Sequence, residues 1–166
     1  MQIRQSQVKG DRPTCVHDPK HPVHYRCRYS RRKNPDGDEQ IIVLCWTCAV
    51  CGAFYSVLPD DAIAYRPMSA AMLESGLDSA FNGKEQGPRT EKEKGCIKRA
   101  TKSFCSNIPF LTNVLGQIVE TTCPSAAQLW KELKQLGDMQ AILRFLAEHF
   151  NTSLLKDYKC LKPRMA

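Results

Sequence analysis

No apolar run in this chain approaches the ~18 residues needed to cross a bilayer, and the polar N-terminus lacks the apolar core of a secretory leader. Together these point to the cytosol. No glycine loop able to cradle phosphates is present, and no Ser/His/Asp or Cys/His pairing stands out beyond one Cys/His-rich stretch. Asp60-Asp61 is an adjacent carboxylate pair, but neighbouring side chains of an extended chain point apart, so the pair is a poor two-metal site. A nuclease or transposase needs several carboxylates converging on Mg²⁺, and nothing marks such a set. His149, near a helix end, reads as an exposed C-terminal cation. The sequence carries no enzyme signal.

What is present is a folded composition: 166 residues, 42% hydrophobic and 25% charged, enough for one domain or two small ones with a real core. The net charge of +7 is unevenly spread. Of 24 Lys/Arg and 17 Asp/Glu in the chain, residues 1–33 hold 9 and 2, which leaves 15 of each sign for the rest. An excess confined to one end is the footprint of a polyanion partner, nucleic acid above all, although a solvated arm that only aids solubility would look the same. Nine cysteines, an odd number, with no secretion signal argue against a disulfide framework and for metal binding or free thiols.

Cys48-Ala-Val-Cys51-Gly52 has the form of a metal knuckle: two thiols turned inward by a short loop, with glycine allowing the backbone to double back. The β-branched run Gln40–Cys45 precedes it and the apolar run Ala53–Val57 follows, so the knuckle sits at the tip of a β-ribbon. Upstream, Cys15, His17, His21 and His24 share ten residues with two prolines, an irregular loop able to wrap an ion. The alternating segment Tyr25–Arg31, the turn Asn34-Pro35-Asp36-Gly37 and the return strand 39–45 form a hairpin delivering the chain from one ligand loop to the other. That is the plan of a zinc ribbon. Cys15, Cys48 and Cys51 are the expected Zn²⁺ ligands. The fourth is open among His17, His21, Cys27 and Cys45, with His21 favoured because it lies a full loop from Cys15.

Residues 59–68 read as an extended linker. Ser69 then starts a helix ending at Asn82-Gly83. Thr90-Glu-Lys-Glu93 is a capping box for a helix to about Cys105, Pro109 opens a third helix to Val119, Ser125 caps a fourth, and Asp138 caps a fifth to Phe150. The second helix shows Lys94, Lys98, Arg99 and Lys102 on one side, a solvated face or a recognition helix of a helix-turn-helix unit. Cys96, Cys105, Cys123 and Cys160 have no metal spacing. The tail, with Leu154, Leu155 and Tyr158, is apolar enough to fold back.

The ordered set Tyr29, Arg31-Arg32, Cys48-x-x-Cys51-Gly52, Phe54-x-Ser56-Val-Leu-Pro59 and Tyr65-Arg66-Pro67-x-Ser69 resembles the zinc-ribbon family associated with insertion-sequence transposases. The resemblance covers roughly residues 15–70. It implies zinc on Cys48, Cys51 and Cys15, with Asp18 standing where the family's first CxxC has its second cysteine. It also implies a stand-alone DNA-binding member, or an accessory one working with a separate transposase subunit, since no acidic catalytic core is present.

The expectation is therefore an α+β protein: a basic arm (1–14), a zinc β-ribbon (15–58), a linker (59–68), a helical domain of four to five helices (69–151) and a tail (152–166). It would bind DNA, with Arg26, Arg28, Arg31, Arg32 and Lys33 on phosphates and Lys98, Arg99 and Lys102 as a second basic face. The alternative is a protein-interaction adaptor with a purely structural ribbon.

Overall fold

Alternation and β-branching build the first half of the molecule, and a 3.6-residue apolar period builds the second. The computed structural model describes residues 2–4, 12–59, 61–64, 66–83, 87–116, 125–150 and 152–155. Strands β1 (Gln2–Arg4), β2 (Val23–Arg32), β3 (Gln40–Cys48) and β4 (Phe54–Leu58) form one sheet in the order β1-β4-β3-β2. β2, β3 and β4 are an antiparallel meander, and β1 lies parallel to β4 with Ile3 opposite Val57. Part of the expected arm is thus a sheet edge; residues 1 and 5–11 fall outside the described residues.

Cross-strand partners share a face of a sheet, so the register sorts the side chains. One face carries Ile41, Val43 and Cys45, which bury with Leu58 and with Ala62 and Ala64 of the following segment. The other carries Val23, Cys48 and Tyr55 at the knuckle end, buried against Cys15. Further along this second face Ile42 is 55% exposed, and Leu44 and Val57 are half-buried. β2 is exposed over most of its length, with a bulge between Tyr25 and Cys27.

Four helices follow among the described residues: α1 (Ala70–Asn82), α2 (Glu91–Gly116), α3 (Ala126–Lys134) and α4 (Met139–Phe150). The caps act as their residue types dictate. Ser69 Oγ accepts from Met72 N–H at 3.2 Å, and Ser125 Oγ from Gln128 N–H at 3.2 Å. Thr90 and Glu93 exchange side-chain-to-backbone bonds at 3.2 and 3.1 Å, and Asp138 Oδ1 accepts from Ala141 N–H at 2.8 Å. Gly83 takes the left-handed φ of 64° that ends α1.

The expected second and third helices are one. Pro109 removes a single N–H and is solvent-exposed, while Cys96, Ala100, Phe104, Asn107, Leu111 and Leu115 continue one buried stripe through it. A proline inside a helix costs about 3 kcal/mol, and burying a side chain such as Leu111 returns roughly 1.5–3 kcal/mol. Several such burials beyond the proline outweigh it. Residues 117–120, the rest of the expected third helix, lie outside the described residues.

The linker is not extended either. Ile63 N–H donates to Met68 O at 2.9 Å, and Ala62, Ile63, Ala64 and Met68 are fully buried. Residues 152–155 are buried too: Leu154 and Leu155 join the helical core, and Asn107 Nδ2 donates to Leu154 O at 3.2 Å. Tyr158 lies outside the described residues.

The β2–β3 turn fastens the halves together. Asn34 Oδ1 accepts from Ser69 N–H at 2.9 Å. The Asp36 carboxylate meets the Thr90 hydroxyl and, at 2.9 Å, Lys92 Nζ at the start of α2. The Thr90 hydrogen bond first, then that from Lys92, holds the Asp36 carboxyl below the usual carboxylate range.

Candidate metal centre and basic sheet face

Cys15, His21, Cys48 and Cys51 converge at the knuckle end of the sheet, each offering one donor atom, all within 4.8 Å of one another. Local chemistry places each. β3 ends at Cys48, whose N–H donates to Ala53 O at 2.8 Å, and Gly52, at φ 68°, lets its own N–H reach Cys48 O at 3.1 Å. Such a φ is strained for any residue with a Cβ. Within this knuckle the Cys51 N–H points at Cys48 Sγ, 3.5 Å away. The two ligand loops are joined by Ala49 N–H donating to Pro22 O at 3.0 Å.

Asp18 organises the other loop. Its carbonyl accepts from His21 N–H at 3.0 Å and its Oδ1 from Lys20 N–H at 2.9 Å. The resulting turn sets His21 Nδ1 3.6 Å from Cys15 Sγ, while His21 Nε2 faces the Asp18 carboxylate at 3.9 Å. A carboxylate behind a histidine orients the ring toward the ion. Cys15 Sγ lies 3.5 Å from Cys51 Sγ. Of the four candidates for the fourth ligand, His21 is the one brought in. His17 is exposed, and Cys27 and Cys45 face each other across β2 and β3 on the opposite face of the sheet. Burial, then the neighbouring Cys27, pushes the Cys45 thiol up, as suits a packed neutral thiol.

The electrostatics favour a thiolate at Cys15. Burial alone would raise its pKa, yet hydrogen bonds from the Tyr55 hydroxyl, the backbone of Asp18 and His17, and Cys51 bring it down to about 5. Tyr55 is fully buried; its oxygen also accepts from Val16 N–H at 3.2 Å. Burial, followed by the Cys15 contact, pushes the phenol up to about 12, so it stays a donor to that sulfur. Cys51 is favoured toward thiolate by Ala53 N–H, but burial and the sulfurs of Cys48 and Cys15 together push its thiol up. A cation at the centre would relieve that crowding of sulfurs. Tyr55 escaped the sequence reading, which took 53–57 as an apolar run; its alternation position, on the same face as Cys48, was the available signal.

The expected nucleic-acid residues do not form one surface. Arg28 and Arg32, opposite Leu44 and Gln40, lie exposed on the open face with Ile42 and the 51%-exposed Tyr25. Tyr25 packs edge-on to Trp46 at 5.6 Å. Arg26, at the bulge, sits over the Phe54 ring at 5.6 Å. Arg31 points to the other face and donates to Ile63 O at 2.6 Å. Lys33 is committed to Asp61 at 2.6 Å and Glu39 at 2.8 Å, and hydrogen bonds to Asp61 and then Glu39 raise its pKa. On α2, Lys98 and Lys102 line a groove with Lys94, while Arg99 turns toward Cys96 Sγ at 3.2 Å. The α1–α2 connection spans 83–90, longer than the about three to four residues of a helix-turn-helix turn.

No family model matches the chain, and no curated protein or solved structure matches it. Among the described residues no helix is long and apolar enough to cross a membrane.

Proposed function

We propose that this protein is a zinc-ribbon DNA-binding module. Cys15, His21, Cys48 and Cys51 hold a structural Zn²⁺, and the open sheet face beside it meets the nucleic acid. The observation that carries the reading is the closed four-donor cluster at the end of a sheet whose exposed edge strand is basic. Three sulfurs and one imidazole are a structural zinc set. In a tetrahedron with Zn–S near 2.3 Å, ligand atoms lie about 3.7 Å apart, close to the 3.5 and 3.6 Å separations of Cys15 from Cys51 and His21. With four protein donors no position stays open for substrate, which suits a structural role.

Arg28 and Arg32 then contact phosphates, and Tyr25 on the same face offers an aromatic ring to a base, while Arg26 lies over Phe54 on the other face. Arg31 and Lys33 hold the fold instead. The ordered resemblance to transposase-associated zinc ribbons adds that such a module would work beside a separately supplied transposase subunit.

The test is binding of a fluorescent duplex to the zinc-loaded full chain over a salt series, with Arg28→Glu/Arg32→Glu as comparison. Wild-type affinity should fall steeply with salt, and losing two phosphate contacts should flatten the log–log slope by about 2. Salt-independent binding, or a slope unchanged in the double variant, would refute it.

A further inference from the structure

Away from the Cys/His cluster, α1 and α2 cross closely at Gly76. A Cβ there would come within 2.7 Å of Ile97 Cγ2, so the absence of a side chain is what lets the helices meet. Above this contact a groove of about 600 Å³ opens, floored by Gly76, Ala80 and Ile97 and flanked along α2 by Lys94, Lys98 and Lys102. The three lysines recur at four-residue spacing, one stripe of a helix. Arg89 adds a fourth cation at the groove's end, and among the described residues the lining contains no carboxylate.

The cations differ in what they already do. Arg89 donates to Ser75 Oγ at 2.6 Å, and Lys94 pairs with Glu91 at 2.7 Å. Lys98 and Lys102 are exposed and have no ion-pair partner among the described residues. Residues 34–166 hold equal numbers of each sign, so this one-sided rim departs from the balance of the surrounding sequence.

We propose that the groove binds an acidic peptide segment of a partner protein, one that places an apolar side chain on the floor and carboxylates on the rim. The combination of floor and rim decides between anions. A duplex presents charge without an apolar side chain, whereas an amphipathic acidic segment satisfies both surfaces at once. The volume lies in the range of ordinary ligand pockets. The chain itself offers no such occupant. The segment 156–166 is basic (Lys156, Lys159, Lys162 and Arg164 against Asp157), and no other segment outside the described residues carries more than one acidic residue.

The experiment titrates the isotope-labelled, metal-loaded full chain with three probes: an acidic peptide carrying Leu at i and i+4, the same peptide with Leu→Ser, and a DNA duplex. The acidic Leu peptide should shift the amides of Gly76, Ile97 and Thr101. Lys98→Glu/Lys102→Glu should weaken it about tenfold or more, as reversal of two rim charges implies, and Ala80→Phe, which fills the groove without changing charge, should weaken it too. Equal binding of the Leu→Ser peptide would reduce the effect to bulk charge and overturn the proposal. So would a peptide affinity unchanged in both variants, or displacement of the peptide from these amides by duplex.

Discussion

The two halves of this molecule are held in different ways. In the helical half, twenty buried side chains among the described residues, from Ile63 to Leu155, form one cluster that includes Phe104 and Trp130. Among the described residues of the sheet half, the buried apolar side chains divide into a group of six on one face and a group of four on the other. The four include the thiols Cys15 and Cys48 and are flanked by partly buried Val16, Trp46 and Ala53. At roughly 1.5–3 kcal/mol per large apolar side chain buried, the helical cluster is a self-sufficient core. Four residues at the knuckle end are not. There the ordering entropy of an irregular, proline-containing loop must be offset by something else, and the converging donor atoms supply the means. An ion held by the four donors, as proposed above, would substitute for packing at so thin a ribbon end.

The comparison makes graded predictions. If the cluster holds the zinc proposed above, Cys48→Ser should have the largest effect: loss of that ion and of order at the knuckle end, since structural zinc contributes on the order of 10 kcal/mol to such folds. Metal content and near-ultraviolet dichroism read it. Trp130→Ala should act on the other half alone. Trp130 is fully buried, packs edge-on against Phe104 and donates to Asp78 Oδ1 at 2.8 Å. Its truncation should cost about 3–5 kcal/mol in denaturant unfolding with metal stoichiometry unchanged. A metal loss in Trp130→Ala would break the separation of the halves.

Tyr55→Phe tests the ligand sphere more finely. It keeps the ring in the knuckle cluster and removes the hydroxyl that donates to Cys15, so metal affinity in a chelator competition should fall about tenfold while the helical half melts unchanged.

The smallest effect concerns the seam between the halves. The Lys33 pKa is raised by its hydrogen bonds to Asp61 and Glu39. A raised pKa means the ammonium is stabilised by folding, so its contribution is full below about 10.5 and is lost as pH rises through the higher folded-state value. The stability difference between wild type and Lys33→Met should be about 1 kcal/mol at pH 8 and shrink at strongly alkaline pH. A difference that grows with pH would contradict the assignment.

Much of this was legible in the sequence where one short segment sets the outcome alone. The Cys48–Gly52 knuckle and the caps at Ser69, Thr90, Ser125 and Asp138 each need only neighbouring residues, and each forms as its residues dictate. The choice of His21 was legible only as a preference, because it depends on the turn that Asp18 builds. What escaped depends on distant partners. Arg31 and Lys33 look like their neighbours Arg28 and Arg32, and only the packing of residues 61–63 against β2 takes them out of the basic surface. Pro109 reads locally as a helix start, and only the common core on both sides of it keeps α2 continuous. The linker 59–68 looked extended because its burial requires the sheet and α1 together.

The most direct test of the divided architecture is amide hydrogen exchange on the wild-type chain before and after metal removal by a strong chelator. If the knuckle end is metal-held, protection at Val23, Cys48 and Tyr55 should collapse on chelation while Phe104, Leu129 and Trp130 keep theirs. Protein that carries no metal yet protects Val23, Cys48 and Tyr55 fully would contradict the claim, as would loss of protection in both halves at once.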